Sequence, residues 1–341
     1  MSVARRMKLA VLDGCRTIGG FGWVQSSDWR SERLLILCYH GVSLDREHEW
    51  NGGLHMSPAL LRSRFESIQR SGVEVLPLGE AIDALRSGKL SKPSVALTFD
   101  DGFYDFHQAA APLLAEFGFP ATVYLTTYYV KDQRPLPNLI VPYMLWLKRD
   151  AGVEIDARLL GGAPRKLTSE SWQTLAARLQ AAALEGRSAD EKDEVVQRLA
   201  AQIGINYDAL HRSRVLSLMD SDEVRELARA GIDFQLHTHR HRTPNDESLF
   251  RREIQDNRAF IEELTGKPAN HFCYPSGVYR TEFLPWLRAE AVESATTCDP
   301  GLCSADTDAL LLPRKVDTTF VEPVEFEAWL SGCEPRLRSW S

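Results

Sequence analysis

Two short stretches of this chain carry residue types that do chemistry together. Leu97-Thr98-Phe99-Asp100-Asp101-Gly102 sets two adjacent carboxylates at the end of a strand-like run, and His237-Thr238-His239-Arg240-His241 follows about 135 residues later. One carboxylate and two imidazoles make a three-ligand set that leaves a divalent metal an open position for water. The second carboxylate is then placed to act as general base. The combination points to metal-assisted hydrolysis. Neighbouring residues at a strand end diverge, so the two aspartates can take different jobs. Without a cation, two carboxylates this close would compete for a proton in an apolar site. Among the histidines the spacing leaves two pairings open. A turn brings His237 and His241 together, whereas an extended segment pairs His237 with His239. His40 ends another buried run, Leu37-Cys38-Tyr39-His40-Gly41-Val42, and from that strand end it can reach the same rim as an acid.

The elements that must position these residues alternate along the chain. Leu34–Tyr39 reads as a fully buried strand. Ser57-Pro58 opens a helix with an N-cap and a first-turn proline, and Leu61, Phe65 and Ile68 line one of its faces. Val73–Leu76, Ser94–Phe99, Ala121–Thr126, Asp233–Leu236, Phe272–Tyr274, Ser294–Thr297 and Arg314–Val316 are further strand candidates. Helices are predicted over 79–87, 104–117, 222–230 and 249–265. Strands alternating with helices argue for a parallel sheet. Polar residues just past the strand ends argue for a barrel with its site at the C-terminal rim. The rhythm breaks at about 131–218, a stretch rich in Ala, Leu, Arg and Glu that reads as a helical insertion. The expected organisation is an N-terminal leader segment over 1–33, a barrel over 34–320 interrupted by that insertion, and a C-terminal helix and tail over 321–341.

Composition bounds the rest. The 341 residues are 44% hydrophobic and 26% charged, a globular profile. The net charge of −7 disfavours nucleic acid as a partner. No run reaches the roughly 18–20 apolar residues of a membrane span. The six cysteines are scattered without a CxxC pair, so they suggest free thiols and a reducing compartment. Arg5, Arg6 and Lys8 precede an apolar patch that Asp13 ends too early for a secretory signal. The expectation is a cytoplasmic protein. A peripheral contact of Arg5, Arg6, Lys8 and Arg16 with an anionic membrane surface is a second reading.

Thr98-Phe99-Asp100-Asp101-Gly102 together with His237-Thr238-x-x-His241 resembles the first two motifs of the polysaccharide deacetylase family, the NodB-homology domains of carbohydrate esterase family 4. Tyr39-His40-Gly41-Val42 on the first strand is similar to the circularly permuted branch, which includes bacterial poly-N-acetylglucosamine deacetylases. The resemblance spans roughly residues 34–320 apart from the insertion. It implies an α/β fold, a distorted (β/α)7 barrel, and metal-dependent removal of acetyl groups from N-acetylated sugars of a polysaccharide or glycan precursor. It implies Asp100 as base, Asp101, His237 and His241 as ligands of one divalent ion (zinc foremost, cobalt or nickel as alternatives), and His40 as the acid. Phe272-Cys273-Tyr274-Pro275-Ser276-Gly277 falls where the third motif lines the groove. Tyr274, Pro275 and Ser276 would there meet substrate, and the Ser276 N–H the oxyanion. Cys273 stands where the commonest third motif has an arginine that orients the base, and Arg314 is the candidate replacement. Tyr104, Tyr274, Trp50 and Trp146 are candidates for stacking on sugar rings. The expected partners are an N-acetylated saccharide and glycan-biosynthesis proteins. A carbohydrate O-acetyl esterase and a non-catalytic carbohydrate-binding homologue are the alternatives.

Overall fold

The fold was obtained as a computed structural model, which describes residues 3–131 and 133–334. Its centre is a curled parallel sheet that forms a half-barrel. Seven strands follow in chain order: β1 (Leu34–Tyr39), β2 (Ser94–Asp101), β3 (Thr122–Leu125), β4 (Asp233–Leu236), β5 (His271–Cys273), β6 (Ser294–Thr296) and β7 (Lys315–Val316). Across the sheet they run β6-β5-β4-β3-β2-β1-β7, and Glu74–Val75 pairs additionally with β2. The two edges approach each other through Leu312, just before β7, which bonds to Ala295 and Thr297 at β6. This is the α/β, distorted (β/α)7 barrel architecture expected from the sequence.

Strands buried on both faces carry apolar residues throughout, and the pleat sorts them into two layers. Leu35, Leu37, Tyr39, Val95, Leu97, Phe99, Val123 and Leu125 face outward and join the core beneath the helices. Leu34, Ile36, Ala96, Tyr124 and Cys273 face inward and fill the barrel with Cys303 and Leu312. The helix Pro58–Ser71 begins with Ser57 accepting from the Leu60 N–H, ends at Gly72 with φ 70°, and buries Leu61, Phe65 and Ile68. Such an N-cap contributes on the order of 1 kcal/mol. Helix boundaries elsewhere lie within a few residues of those expected. The predicted helix 104–117 is formed, with a π-type turn over Phe106–Ala110 ahead of Ala111–Phe117.

The stretch 131–218 folds around a core of its own, which includes Ile140, Met144, Leu179, Val196, Leu199 and Leu216. It packs beside the barrel rim, and Trp50 leans against it. The N-terminal segment is helical over Val3–Thr17, and Lys8 bonds to Glu325 of the helix Pro323–Ser331 and to Glu334 beyond it. The tail past Glu334 lies outside the described residues. Among the described residues no helix is long and apolar enough to cross a membrane. All six cysteines are free thiols.

Candidate active site

Strand register brings the chemistry to one rim. Tyr39 pairs with Phe99, so His40 stands abreast of Asp100. Asp101 pairs with Leu125, Leu125 with Leu236, and Leu236 with Phe272. His237 and the 274–277 turn therefore follow at the same height. A cavity of roughly 480 Å³ opens there, and His40, Asp100, Asp101, His237, His241 and Ser276 are on its walls.

The backbone is bent sharply where the side chains must converge. Asp101, Thr238, His241 and Ser276 all have positive φ, four of the eight non-glycine residues that do so among the described residues. Strain of this kind costs about 1–3 kcal/mol per residue and gathers at functional sites. At Asp101, φ 72° breaks the strand alternation, so Asp100 turns into the barrel while Asp101 turns onto the rim. Gly102 follows at φ 83°, where a side chain would run into Leu125. Gly41 is restricted differently, because a Cβ there would overlap the His55 ring.

Asp101 Oδ1 lies 3.2 Å from Nε2 of His237 and 3.2 Å from Nε2 of His241. Both separations suit the edges of a tetrahedral shell with metal–ligand distances of about 2.0–2.2 Å. Nδ1 of His237 sits 2.9 Å from the Cys273 carbonyl. A proton on Nδ1 satisfies that carbonyl and leaves the Nε2 lone pair facing a carboxylate. A neutral imidazole in that position needs a cation between the two, and the donor set therefore fits a divalent ion. With protons rather than an ion on the facing nitrogens, the contacts with His237 and His241 outweigh burial and hold the Asp101 carboxyl well below the usual range. His239 turns away, with Nδ1 2.8 Å from the Thr127 hydroxyl, so the turn pairing 237/241 is the one formed.

Asp100 is 3% exposed and points inward. Arg314, fully buried, donates from two nitrogens to its two oxygens at 2.7 and 2.8 Å. The same guanidinium bonds to the Thr98 hydroxyl and the Thr297 carbonyl. Burial pushes the Asp100 carboxyl upward, but Arg314 outweighs it and keeps the carboxyl well below the usual range. The thiols of Cys38 and Cys273 stand 3.5 and 3.4 Å from Oδ2. His40 Nε2 is 3.8 Å from the same oxygen, and burial lowers its pKa against the pull of Asp100 and Asp101.

The candidate stacking residues are not brought to this cavity. Tyr274 is fully buried and donates its hydroxyl to the Leu310 carbonyl. Phe272 and Tyr274 share the outward face of β5 and its extension, whereas Cys273 faces inward; strand alternation thus sends the tyrosine into the helix-facing core. Only the backbone of Tyr274 borders the turn at Pro275 and Ser276, and Pro275 is itself buried. Trp50 packs on Tyr143, Trp146 sits in the core of the insertion, and Tyr104 lies beneath Arg214. Tyr129 reaches the cavity instead. Its position shortly after β3 is the signal that points to it.

Sequence reasoning also missed the supports of the histidine loop. Asn257, fully buried, accepts from the His237 N–H at 2.9 Å and donates to the Leu125 carbonyl and the Thr127 hydroxyl. Glu253 accepts from the Arg240 N–H and from the side chains of Arg240 and Arg242, and its carbonyl accepts from the His239 N–H. Both lie on the helix Glu247–Thr265.

A family model described as polysaccharide deacetylase matches residues 87–158 and 186–293. The poly-beta-1,6-N-acetyl-D-glucosamine N-deacetylase of Escherichia coli K12 is 28% identical over 94 residues, 27% of this chain. The match spans only 14% of the length of that relative. Among solved structures, the Streptococcus pyogenes deacetylase PplD in complex with acetate superposes with a TM-score of 0.59 at 18% identity, over 87% of this chain and 98% of that one. IcaB from Ammonifex degensii gives 0.56 at 17% identity, over 88% and 97%. These likenesses are of fold.

Proposed function

The chain belongs to the polysaccharide deacetylase family, and we propose that it is a metal-dependent hydrolase that removes acetyl groups from N-acetylated sugars. One observation carries this reading. Asp101 joins His237 and His241 around one point, while its neighbour Asp100 is gripped through both oxygens by Arg314 and held ionised. Two adjacent carboxylates with opposite partners suit two different roles.

Asp101, His237 and His241 would hold the ion. Bound there, a divalent cation activates water near neutral pH and stabilises negative charge on a carbonyl oxygen. Zinc suits an Asp-His₂ set, as do cobalt and nickel. Asp100 takes the proton of the attacking water, and its depressed pKa keeps it available as a carboxylate. Arg314 fixes the plane of that carboxylate. The Ser276 N–H donates to the developing oxyanion, a contribution worth about 3–4 kcal/mol when one such donor is lost. His40, partly buried and so neutral at rest, stands 3.8 Å from Asp100, takes up that proton through one bridging water and passes it to the leaving nitrogen. An amide needs this step, because an unprotonated amine anion leaves poorly.

Acetate release from N-acetylated saccharides of increasing length tests the proposal. Protein stripped with a chelator and reloaded with zinc or cobalt is expected to release acetate, and stripped protein is not. Equal release with and without metal would remove the basis of the reading. Release from O-acetyl sugars alone would favour an esterase.

A further inference from the structure

A second cavity of roughly 280 Å³ adjoins the catalytic one, lined by the histidine loop and the helical insertion. Tyr129, Pro137, Lys192 and Arg240 belong to the walls of both. Five cations, Arg134, Arg187, Lys192, Arg240 and Arg242, line the second cavity with a single carboxylate, Asp193. The chain as a whole carries −7, so this concentration of positive charge runs against its composition.

Some of that charge is balanced within the protein. Arg240 and Arg242 share the buried Glu253, and Arg134 reaches Asp190 at 2.9 Å. Arg187 and Lys192 have no carboxylate within ion-pair distance among the described residues. Cations gathered around a cavity repel one another unless an anion enters. The helix Ala189–Gln202 also begins here, at Ser188, and adds the positive end of its dipole to the same wall. Arginine forks and lysine ammonium groups are the common ligands of phosphate oxygens. A neutral glycan accepts hydrogen bonds from them but brings no charge to balance theirs.

We propose that the substrate is an N-acetylated sugar bearing phosphate, with its acetyl group beside Asp100 and its phosphate among Arg187, Lys192 and Arg240. This rests on the deacetylase reading above and narrows its substrate class. The shared wall sets the distance between the two subsites. Two helical-insertion residues, Arg187 and Lys192, thereby select the substrate without touching the reacting bond.

Binding to Asp100→Asn protein loaded with zinc tests this without turnover. The probes are uridine diphosphate N-acetylglucosamine, a short-chain polyprenyl diphosphate N-acetylglucosamine and neutral diacetylchitobiose. At least one diphosphate sugar is expected to bind tenfold or more tighter than chitobiose, with a preference that falls as salt rises. The nucleotide and polyprenyl arms tell soluble from lipid-linked phosphate. Adding Arg187→Ala with Lys192→Ala, or Lys192→Glu alone, is expected to erase the preference. Equal binding of neutral and charged probes, or a preference that survives both variants, would overturn the proposal. Acetate release from wild-type protein separates the two readings. Phosphate preference with no release from any sugar leaves the pocket and removes the deacetylase; release without preference does the reverse.

Discussion

Arg314 grips Asp100 through two parallel hydrogen bonds in the interior of the barrel, both under 3 Å and neither open to solvent. Cys273 lies within 3.0 Å of the same guanidinium, so the small thiol leaves room for an arginine arriving from the last strand. A bidentate arginine aligns a carboxylate and favours its ionised form together.

Replacing Arg314 by Met leaves burial as the dominant influence on Asp100, and burial raises a carboxyl pKa. The base must be ionised to act. The acid limb of kcat/KM is therefore expected to move to higher pH, with kcat reduced by about 10²–10⁴. Arg314→Lys should restore part of the rate, because it returns the charge without the fork. An acid limb unchanged in Arg314→Met would separate Arg314 from the ionisation of Asp100.

For His40→Ala the expected loss is about 10²–10⁴ on an N-acetyl sugar. On an activated acetyl ester, whose leaving group needs no proton, the loss should be far smaller. Measuring both substrates with one preparation gives the ratio directly. Equal losses on the two would contradict the assignment of His40 as the proton donor.

Asn257 makes three buried hydrogen bonds that tie His237 to the end of β3. Asn257→Leu strands those partners without replacements, at a cost of about 1–3 kcal/mol each for groups left unpaired. Metal affinity should fall about 10–100-fold, as for other residues that orient a ligand. Thermal unfolding and metal titration read the two effects separately, and a wild-type metal affinity would make Asn257 purely structural.

Glu334 is buried between Lys315 at 2.7 Å and Lys8 at 2.9 Å. Burial alone would raise its carboxyl, but the two lysines bring it down to about 2. A carboxyl depressed in the folded state stabilises the fold above its unfolded value near 4.5, and that stability is lost as pH falls toward 2. The full contribution is at most about 3 kcal/mol. Glu334→Gln should lower the melting temperature at pH 7 and flatten its decline in acid; an unaltered acid slope would contradict the pairing.

The legible parts of this protein were those written locally. The run from Ser94 to Phe99 announces a buried strand, and Gly102 after a carboxylate doublet announces the turn at its end. Strand alternation explains what was misread: Tyr274 was expected at the groove, yet one step past the inward-facing Cys273 it belongs to the outer core. Asn257 and Glu253 carry no local signature, because each acts on backbone groups brought to it by the sheet. The cationic pocket was equally hidden, since the last third of the insertion and two elements of the barrel lie between Arg187 and Arg240.

The division of labour between the two adjacent aspartates is the centre of this account. Metal content of purified Asp100→Asn and Asp101→Asn proteins, dialysed against equal zinc, tests it most directly. Asp100→Asn is expected to retain one equivalent of metal and release no acetate, whereas Asp101→Asn should lose the metal. Full occupancy in Asp101→Asn, or loss of metal in Asp100→Asn, would contradict it.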